Sequence, residues 1–346
     1  MSKFKIDIFN FPRFCFDFGT NFVRIGISDK GVIQENNVIA HHIYRDKYLF
    51  YGKEAKELIG KTPKIIKIIH PVQKGVINDF DAFYNLLSFI KEDQLLGSWA
   101  NLKFAPYFSY AVVGIPNFAT EIEQRASKEV LQKLGFNQVF LVPSAIACAA
   151  SLVDDLFVSK PFIILDLGAG KVEVSIISKG GVVLSRYLDF GGFFLDERIR
   201  HYLHLKYAVA VGYATAERLK IELLNFNNSE KQITVKGKAL DTGLPKEIKV
   251  KTSEILEALY PSITRIVDEV KNIIEESPPE IVEDITTNGV YLVGGLSFID
   301  GLDKFLSDEV KVKVNKVDNP TRSQIDGLLK IAKSPQLLRV VKLPDV

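Results

Sequence analysis

Cysteine, methionine and tryptophan are scarce in this chain of 346 residues, with two, one and one copies respectively. Cys15 and Cys148 each sit inside an apolar segment, so no disulfide framework can staple the fold, and a reducing compartment with two buried thiols is expected. No apolar run approaches the ~20 residues that cross a bilayer. The N-terminus alternates Lys3, Lys5 and Asp7 with Phe4, Ile6 and Ile8 instead of forming a signal-peptide core, which predicts a cytoplasmic protein. An excess of one charge is missing too: 44 Lys and Arg against 42 Asp and Glu leave a net charge of +2. That excludes the broad basic surface of a non-specific nucleic-acid binder, so no nucleic-acid partner is expected. The remaining balance, 47% hydrophobic and 25% charged, is that of a globular protein. At about 150 residues per domain the length suggests two.

Several familiar motifs are present only in part. Gly60-Lys61-Thr62 resembles the end of a P-loop, but Ala55 stands where its first glycine belongs. Gly168-Ala169-Gly170 continues as Lys171-Val172-Glu173, which leaves the dinucleotide fingerprint incomplete. His41-His42 has no Cys or acidic partner at zinc-ligand spacing and reads as a surface turn.

What is there is a repeat. Phe14-Cys15-Phe16 leads into Asp17-Phe18-Gly19-Thr20-Asn21 and then the alternating run Val23 to Ile27. Phe162 to Leu165 leads into Asp166-Leu167-Gly168-Ala169-Gly170-Lys171 and then the run Val172 to Ile177. The two aspartates lie close to half the chain apart, which predicts two related halves facing each other across a cleft. A corner with glycine after aspartate turns successive backbone N–H groups toward one spot and lets a phosphate approach. Asp17 and Asp166, at the strand ends, are the candidates to hold Mg²⁺ through its water shell.

Around these corners the pattern is mixed α/β, with crossovers that predict a mainly parallel sheet covered by helices. Asn78 or Asp79 caps a helix carrying Phe80, Phe83, Leu86, Leu87 and Ile90, and Thr120 with Glu123 forms a capping box for a helix stopped by Gly135. Tyr110 to Ile115 and Val139 to Val142 read as strands, and Ala145 to Leu152 as a small-residue helix. Beyond residue 185 come a Gly191-Gly192 turn before a helix, a helix from Ala214 to Leu224, a hairpin-like stretch from Gln232 to Val250, and a long helix from Ser253 to Ile274. The strand Val290 to Val293 then enters Gly294-Gly295 and a further helix.

With these residues in view, the chain resembles the actin, Hsp70 and sugar-kinase superfamily. Three strings narrow the resemblance to the bacterial actin family MreB: Tyr51 to Pro63 (YGKEAKELIGKTP), Pro71 to Phe80 (PVQKGVINDF) and Gly212 to Lys220 (GYATAERLK). The resemblance covers about Phe14 to Pro320. It implies an actin-like two-lobed fold with a duplicated mixed-sheet core, ATP or ADP with Mg²⁺ between the lobes, and homopolymer filaments of antiparallel double protofilaments. The first lobe would span 1–145 with an insertion at about 33–72, and the second 146–346 with an insertion at about 185–250. It further implies binding at the inner face of the cell membrane and related MreB paralogues as partners. Carried over by position, Gly19, Thr20, Asn21 and Phe22 form the first phosphate loop, and Gly168, Ala169, Gly170 and Lys171 the second. The helix stretch Glu217, Arg218, Leu219 and Lys220 contacts the adenosine through Glu217 and Lys220, and Gly294, Gly295, Leu296 and Ser297 line the base, with Leu296 where the family usually has a third glycine. Leu95, Leu96 and Trp99 fall in the family's hydrophobic loop and would either enter the lipid interface or fold onto their own lobe.

Two departures concern hydrolysis. The family usually carries a glutamate after the strand Val139 to Val142, to orient the attacking water, where this chain reads Pro143-Ser144-Ala145. The second loop usually ends in a threonine pair, which Lys171-Val172 replaces. No catalytic residue of the family is therefore intact. Loss of a positioned base costs on the order of 10² to 10⁴-fold in rate, so a weak ATPase that still binds nucleotide is expected. Lys171 either lies against the phosphates as a counter-charge or points to solvent. The rival readings are a sugar or acetate kinase of the same superfamily, which needs an aspartate base that is not evident here, and an Hsp70-like chaperone, whose peptide-binding domain is missing.

Overall fold

The structure is a computed structural model that describes residues 13–96 and 110–344. The chain divides into two compact units, Met1–Phe157 with Arg322–Val346, and Val158–Thr321. The division falls twelve residues beyond the one expected from the sequence, and the last segment joins the first unit. The cause is helix packing, described below.

The two units repeat one sheet. In the first, the strand order is Gln138–Pro143, Tyr110–Ile115, Phe14–Phe18, Phe22–Ile27, Gly31–Asn36. In the second it is Val314–Lys316, Val290–Val293, Phe162–Leu167, Val172–Ser178, Gly181–Leu188. In each, three neighbouring strands run parallel, and two hairpins add two antiparallel strands. The mainly parallel sheet expected from the crossovers is thus a mixed one. The Asp-x-Gly corners are hairpins, and a hairpin can only join antiparallel neighbours. Phe14–Phe18 and Tyr110–Ile115 are buried at every position, as strands covered on both faces must be.

Local chemistry sets the helix ends. Asp79 caps Phe80–Ile90, its Oδ1 accepting from Ala82 N at 3.0 Å, and Ala82, Phe83, Leu86, Leu87 and Ile90 make the buried stripe. Thr120 and Glu123 form the full capping box of Glu121–Lys133. The stretch after Gly294 is a 3₁₀ turn, Gly295–Phe298, followed by helix Leu302–Val310. His41 and His42 lie on strand Ile39–His42 and not in a turn, with His41 Nε2 2.9 Å from Asp46 Oδ1. Among the described residues no cluster fit for a metal ion occurs. Neither Cys15 nor Cys148 is in a disulfide and both are buried, and burial pushes the Cys15 thiol far above its ordinary range, which keeps it protonated and inert. No helix of the described residues is long and apolar enough to cross a membrane.

In the first unit, helix Ser144–Leu152 lies directly on helix Ser323–Lys333. Gly327 makes this possible, because a Cβ there would collide with the carbonyl oxygen of Ala147. The contact ties the chain after residue 321 to the first unit. Past it, Leu343 N donates to Leu141 O of the outer strand Gln138–Pro143 at 2.8 Å. The collision at Gly327 is with rigid backbone, so Gly327→Ala should force the helices apart and cost about 1–3 kcal/mol. Urea unfolding measures it. A loss below about 0.5 kcal/mol, the range of ordinary surface changes, would contradict the close packing.

Candidate functional site

Both Asp-x-Gly corners close in the same way. A Cβ on Gly19 would stand 2.5 Å from Phe22 O, and one on Gly168 would stand 2.9 Å from Lys171 O. Gly168 N also donates to Lys171 O at 3.0 Å. Only glycine leaves room for a carbonyl three residues ahead to fold back this far.

The first corner has an anchor that sequence reasoning missed. Asn37, 1% exposed, donates from Nδ2 to Thr20 O at 2.9 Å and to Val72 O at 2.6 Å, while its own N donates to Asn21 O at 2.9 Å. A single residue, through its side-chain and main-chain amides, therefore holds Thr20 and Asn21 against Val72. Nothing local marks it, because its partners lie up to 35 residues away.

The charges at the two corners are balanced differently. Strand register places Arg24 opposite Asp17, and the pair is bonded at 3.0 Å, with Arg24 Nε also donating to Gln34 Oε1 at 2.8 Å. At the second corner the register places Glu173 opposite Asp166. Two carboxylates there would repel, and Lys171 resolves the conflict. It is 7% exposed, its Nζ lies 3.5 Å from Asp166 Oδ2, and it bonds Glu173 Oε2 directly. Glu173, 3% exposed, also accepts from Ser185 Oγ at 3.2 Å. The solvent-facing reading of Lys171 is therefore overturned: two carboxylates draw the ammonium inward.

Two further turns of the second unit lie against the second corner. Gly192 N donates to Gly168 O at 3.0 Å and Phe193 N to Ala169 O at 2.9 Å, so the Gly191-Gly192 turn lies on the loop backbone to backbone. A Cβ on Gly191 would stand 2.6 Å from Gly168 O. Gly294, at φ +84°, holds the end of strand Val290–Val293 against Leu167, where a Cβ would stand 2.5 Å from Leu167 O. A Cβ on Gly295 would meet open space, and Ser297 Oγ donates back to Gly294 O at 2.6 Å. Leu296 is buried against this turn, its Cδ2 3.5 Å from the place a Cβ would take on Gly192.

Other expected site residues are placed less uniformly. On helix Tyr213–Leu223, Glu217 is half-buried, Arg218 is exposed at 3.9 Å from Glu222, and Leu219 is wholly in the core. Lys220 turns inward, 2.7 Å from Asp196 Oδ1, and donates to Gly192 O at 3.0 Å. Ser144 is buried at the start of its helix. Leu95 and Leu96 end the π-helical turn Lys91–Leu96, and Trp99 lies outside the described residues.

The family model for MreB/Mbl protein matches residues 12–340. The chain belongs to the MreB/Mbl family. It is 32% identical over 308 residues to the cell shape-determining protein Mbl of Bacillus subtilis (strain 168), covering 88% of this chain and 90% of that one. It is 33% identical over 314 residues to the cell shape-determining protein MreB of Escherichia coli (strain K12), covering 88% of each. The crystal structure of MreB5 of Spiroplasma citri bound to AMPPNP aligns with a TM-score of 0.87 at 28% identity, covering 93% of this chain and 96% of that one. The same protein bound to ADP aligns at 0.89 and 27%, covering 96% and 99%. The fold is the actin-like one.

Two predictions follow from the charges. Lys171→Met should strand buried Glu173 and cost about 3–5 kcal/mol, while Lys171→Met with Glu173→Leu should recover most of that loss. Equal urea stability of the single and double variants would show that Lys171 does not neutralise Glu173. The second concerns His70, whose Nδ1 is 3.1 Å from Asn37 O. Burial pushes its imidazole below the ordinary value of 6.5, outweighing the hydrogen bond to Asn37 and assisted by Lys56. The fold thus favours the neutral ring, so its contribution is complete above that value and is lost as pH falls below it. Unfolding free energy should drop between pH 7 and 5.5, and His70→Gln should flatten that slope; an unchanged slope would contradict this.

Proposed function

We propose that this chain is an actin-like cytoskeletal protein that binds ATP or ADP, polymerises into filaments serving cell shape or movement, and hydrolyses ATP slowly. Three features support nucleotide binding. The Gly19 and Gly168 corners repeat one glycine-dependent backbone turn, Gly295 faces open space, and the MreB5 of Spiroplasma citri is seen with AMPPNP and with ADP. Family membership removes the footing of the kinase and chaperone alternatives, and the Mbl and MreB relatives are described as cell shape-determining proteins.

The observation that carries slow hydrolysis is the buried Lys171 between Asp166 and Glu173. At this position the resemblance leads one to expect a threonine hydroxyl. An ammonium held by two carboxylates cannot accept a proton or hydrogen-bond as an acceptor to water. Ser144, at the other altered position, has a neutral hydroxyl in place of a carboxylate base. In-line attack on a phosphoryl group depends on a positioned water, so both changes act on the same step.

Magnesium fits less well than the nucleotide. The charge that Asp17 and Asp166 would offer a hydrated cation is already engaged by Arg24 and Lys171. This chain's own residues hold the loops in place, with Asn37 on Thr20 and Asn21, and the Gly191-Gly192 turn on Gly168 and Ala169.

Electron microscopy of the purified protein with a non-hydrolysable ATP analogue should show filaments; dispersed monomers that bind the analogue would overturn the polymerisation reading. For hydrolysis, Ser144→Glu with Lys171→Thr should release phosphate at least about tenfold faster than the parent, given what a positioned base contributes. Glu173→Gln should accompany these changes in a parallel variant, since Lys171→Thr alone leaves Glu173 without its cation. Phosphate release at the parental rate from both folded variants would refute the account of slow hydrolysis.

A further inference from the structure

Lys220 carries an unexpected arrangement. It stands on the helix stretch that the resemblance assigns to the adenosine, yet it is only 8% exposed. Its Nζ is 2.7 Å from Asp196 Oδ1 and donates to Gly192 O at 3.0 Å. Two of its three donor directions are thus committed inside the unit. Asp196 is 4% exposed and lies one turn into helix Gly192–Tyr207.

The contacts continue in one direction. Gly192, whose carbonyl Lys220 grips, donates its N–H to Gly168 O at 3.0 Å, and the next residue, Phe193, donates to Ala169 O at 2.9 Å. A Cβ on Gly192 would stand 3.4 Å from Lys220 Nζ and 3.6 Å from Ala169 Cα, so nothing separates the lysine from the loop but one peptide. A buried ammonium and carboxylate attract strongly in a medium that water does not screen, and that attraction fixes both ends. One end is helix Tyr213–Leu223. The other is the first turn of helix Gly192–Tyr207, whose Gly192 and Phe193 N–H groups donate to Gly168 and Ala169.

We infer that Lys220 and Asp196 are positioning residues for the loop Gly168–Ala169–Gly170, and that Lys220 acts on the phosphate side of the ligand through this loop instead of touching the nucleoside. The inference rests on the nucleotide reading above and extends it. It predicts a split among ligands. A base or sugar contact serves adenosine, AMP, ADP and ATP alike, whereas a loop held in register serves only those with a phosphate chain to cradle. Misplacement of a binding group by about 1 Å costs up to about a hundredfold.

Titration calorimetry of the full chain with adenosine, AMP, ADP and ATP tests this in the parent, Lys220→Met and Asp196→Asn. ADP and ATP should bind about ten- to a hundredfold more weakly to both variants, with adenosine changed by less than about twofold. Because a single change strands a buried charge, Lys220→Met with Asp196→Leu supplies a charge-free variant of good stability, and it should show the same split. Amide exchange of Gly192 and Phe193, which needs no ligand, should quicken in all three variants. A loss shared equally by adenosine and ADP would mean that Lys220 touches the nucleoside, and unchanged ADP binding with unchanged exchange would mean that the pair only fills the core. Either overturns the inference while the nucleotide reading stands. A parent protein that binds none of the four removes that reading, and this inference with it.

Discussion

The structure depends on a steric constraint met twice: a carbonyl oxygen folds back onto the space where a glycine would otherwise carry a side chain. Phe22 does this over Gly19, and Lys171 over Gly168. Once the carbonyl at the third position is fixed, the direction of that residue's side chain is fixed with it. In the first unit the position holds a phenylalanine, with Arg24 stacked 5.5 Å from its ring. In the second it holds a lysine, which is thereby delivered between two carboxylates. The same backbone turn thus places different chemistry in the two units.

The duplicated sheet also explains why the charges differ. Antiparallel register puts residue 24 opposite Asp17 and residue 173 opposite Asp166. An arginine in that facing position completes an ion pair alone, whereas a glutamate there creates a repulsion that a third group must relieve. Lys171 is that third group, and its presence two residues before Glu173 is coherent with the glutamate and not an independent oddity. Substitution at either position alone would therefore be read wrongly as an effect on the nucleotide when much of it is electrostatic cost within the sheet.

Much of the fold was legible in the sequence. Asp79, Thr120 with Glu123, and the paired hairpins are local signals whose partners lie within a few residues, and the structure places them where spacing predicts. The candidate site was legible in its backbone, since glycines at corners answer to local geometry. Its side chains were not. Helical spacing shows that Glu217 and Lys220 lie one turn apart but not that Lys220 points inward, because its partner Asp196 belongs to another helix. Asn37 and Arg24 carry no motif at all, and the mixed direction of the strands follows from which strands the hairpins join.

On the outer strand Gln138–Pro143 one edge carbonyl, Leu141 O, is met by Leu343 N, with Lys342 over the Phe140 ring at 5.7 Å. An uncovered strand of this kind invites addition by foreign chains and seeds aggregation. The Leu343 contact therefore blunts one point of that edge, and losing it would return Leu141 O to the groups that a foreign strand can pair with.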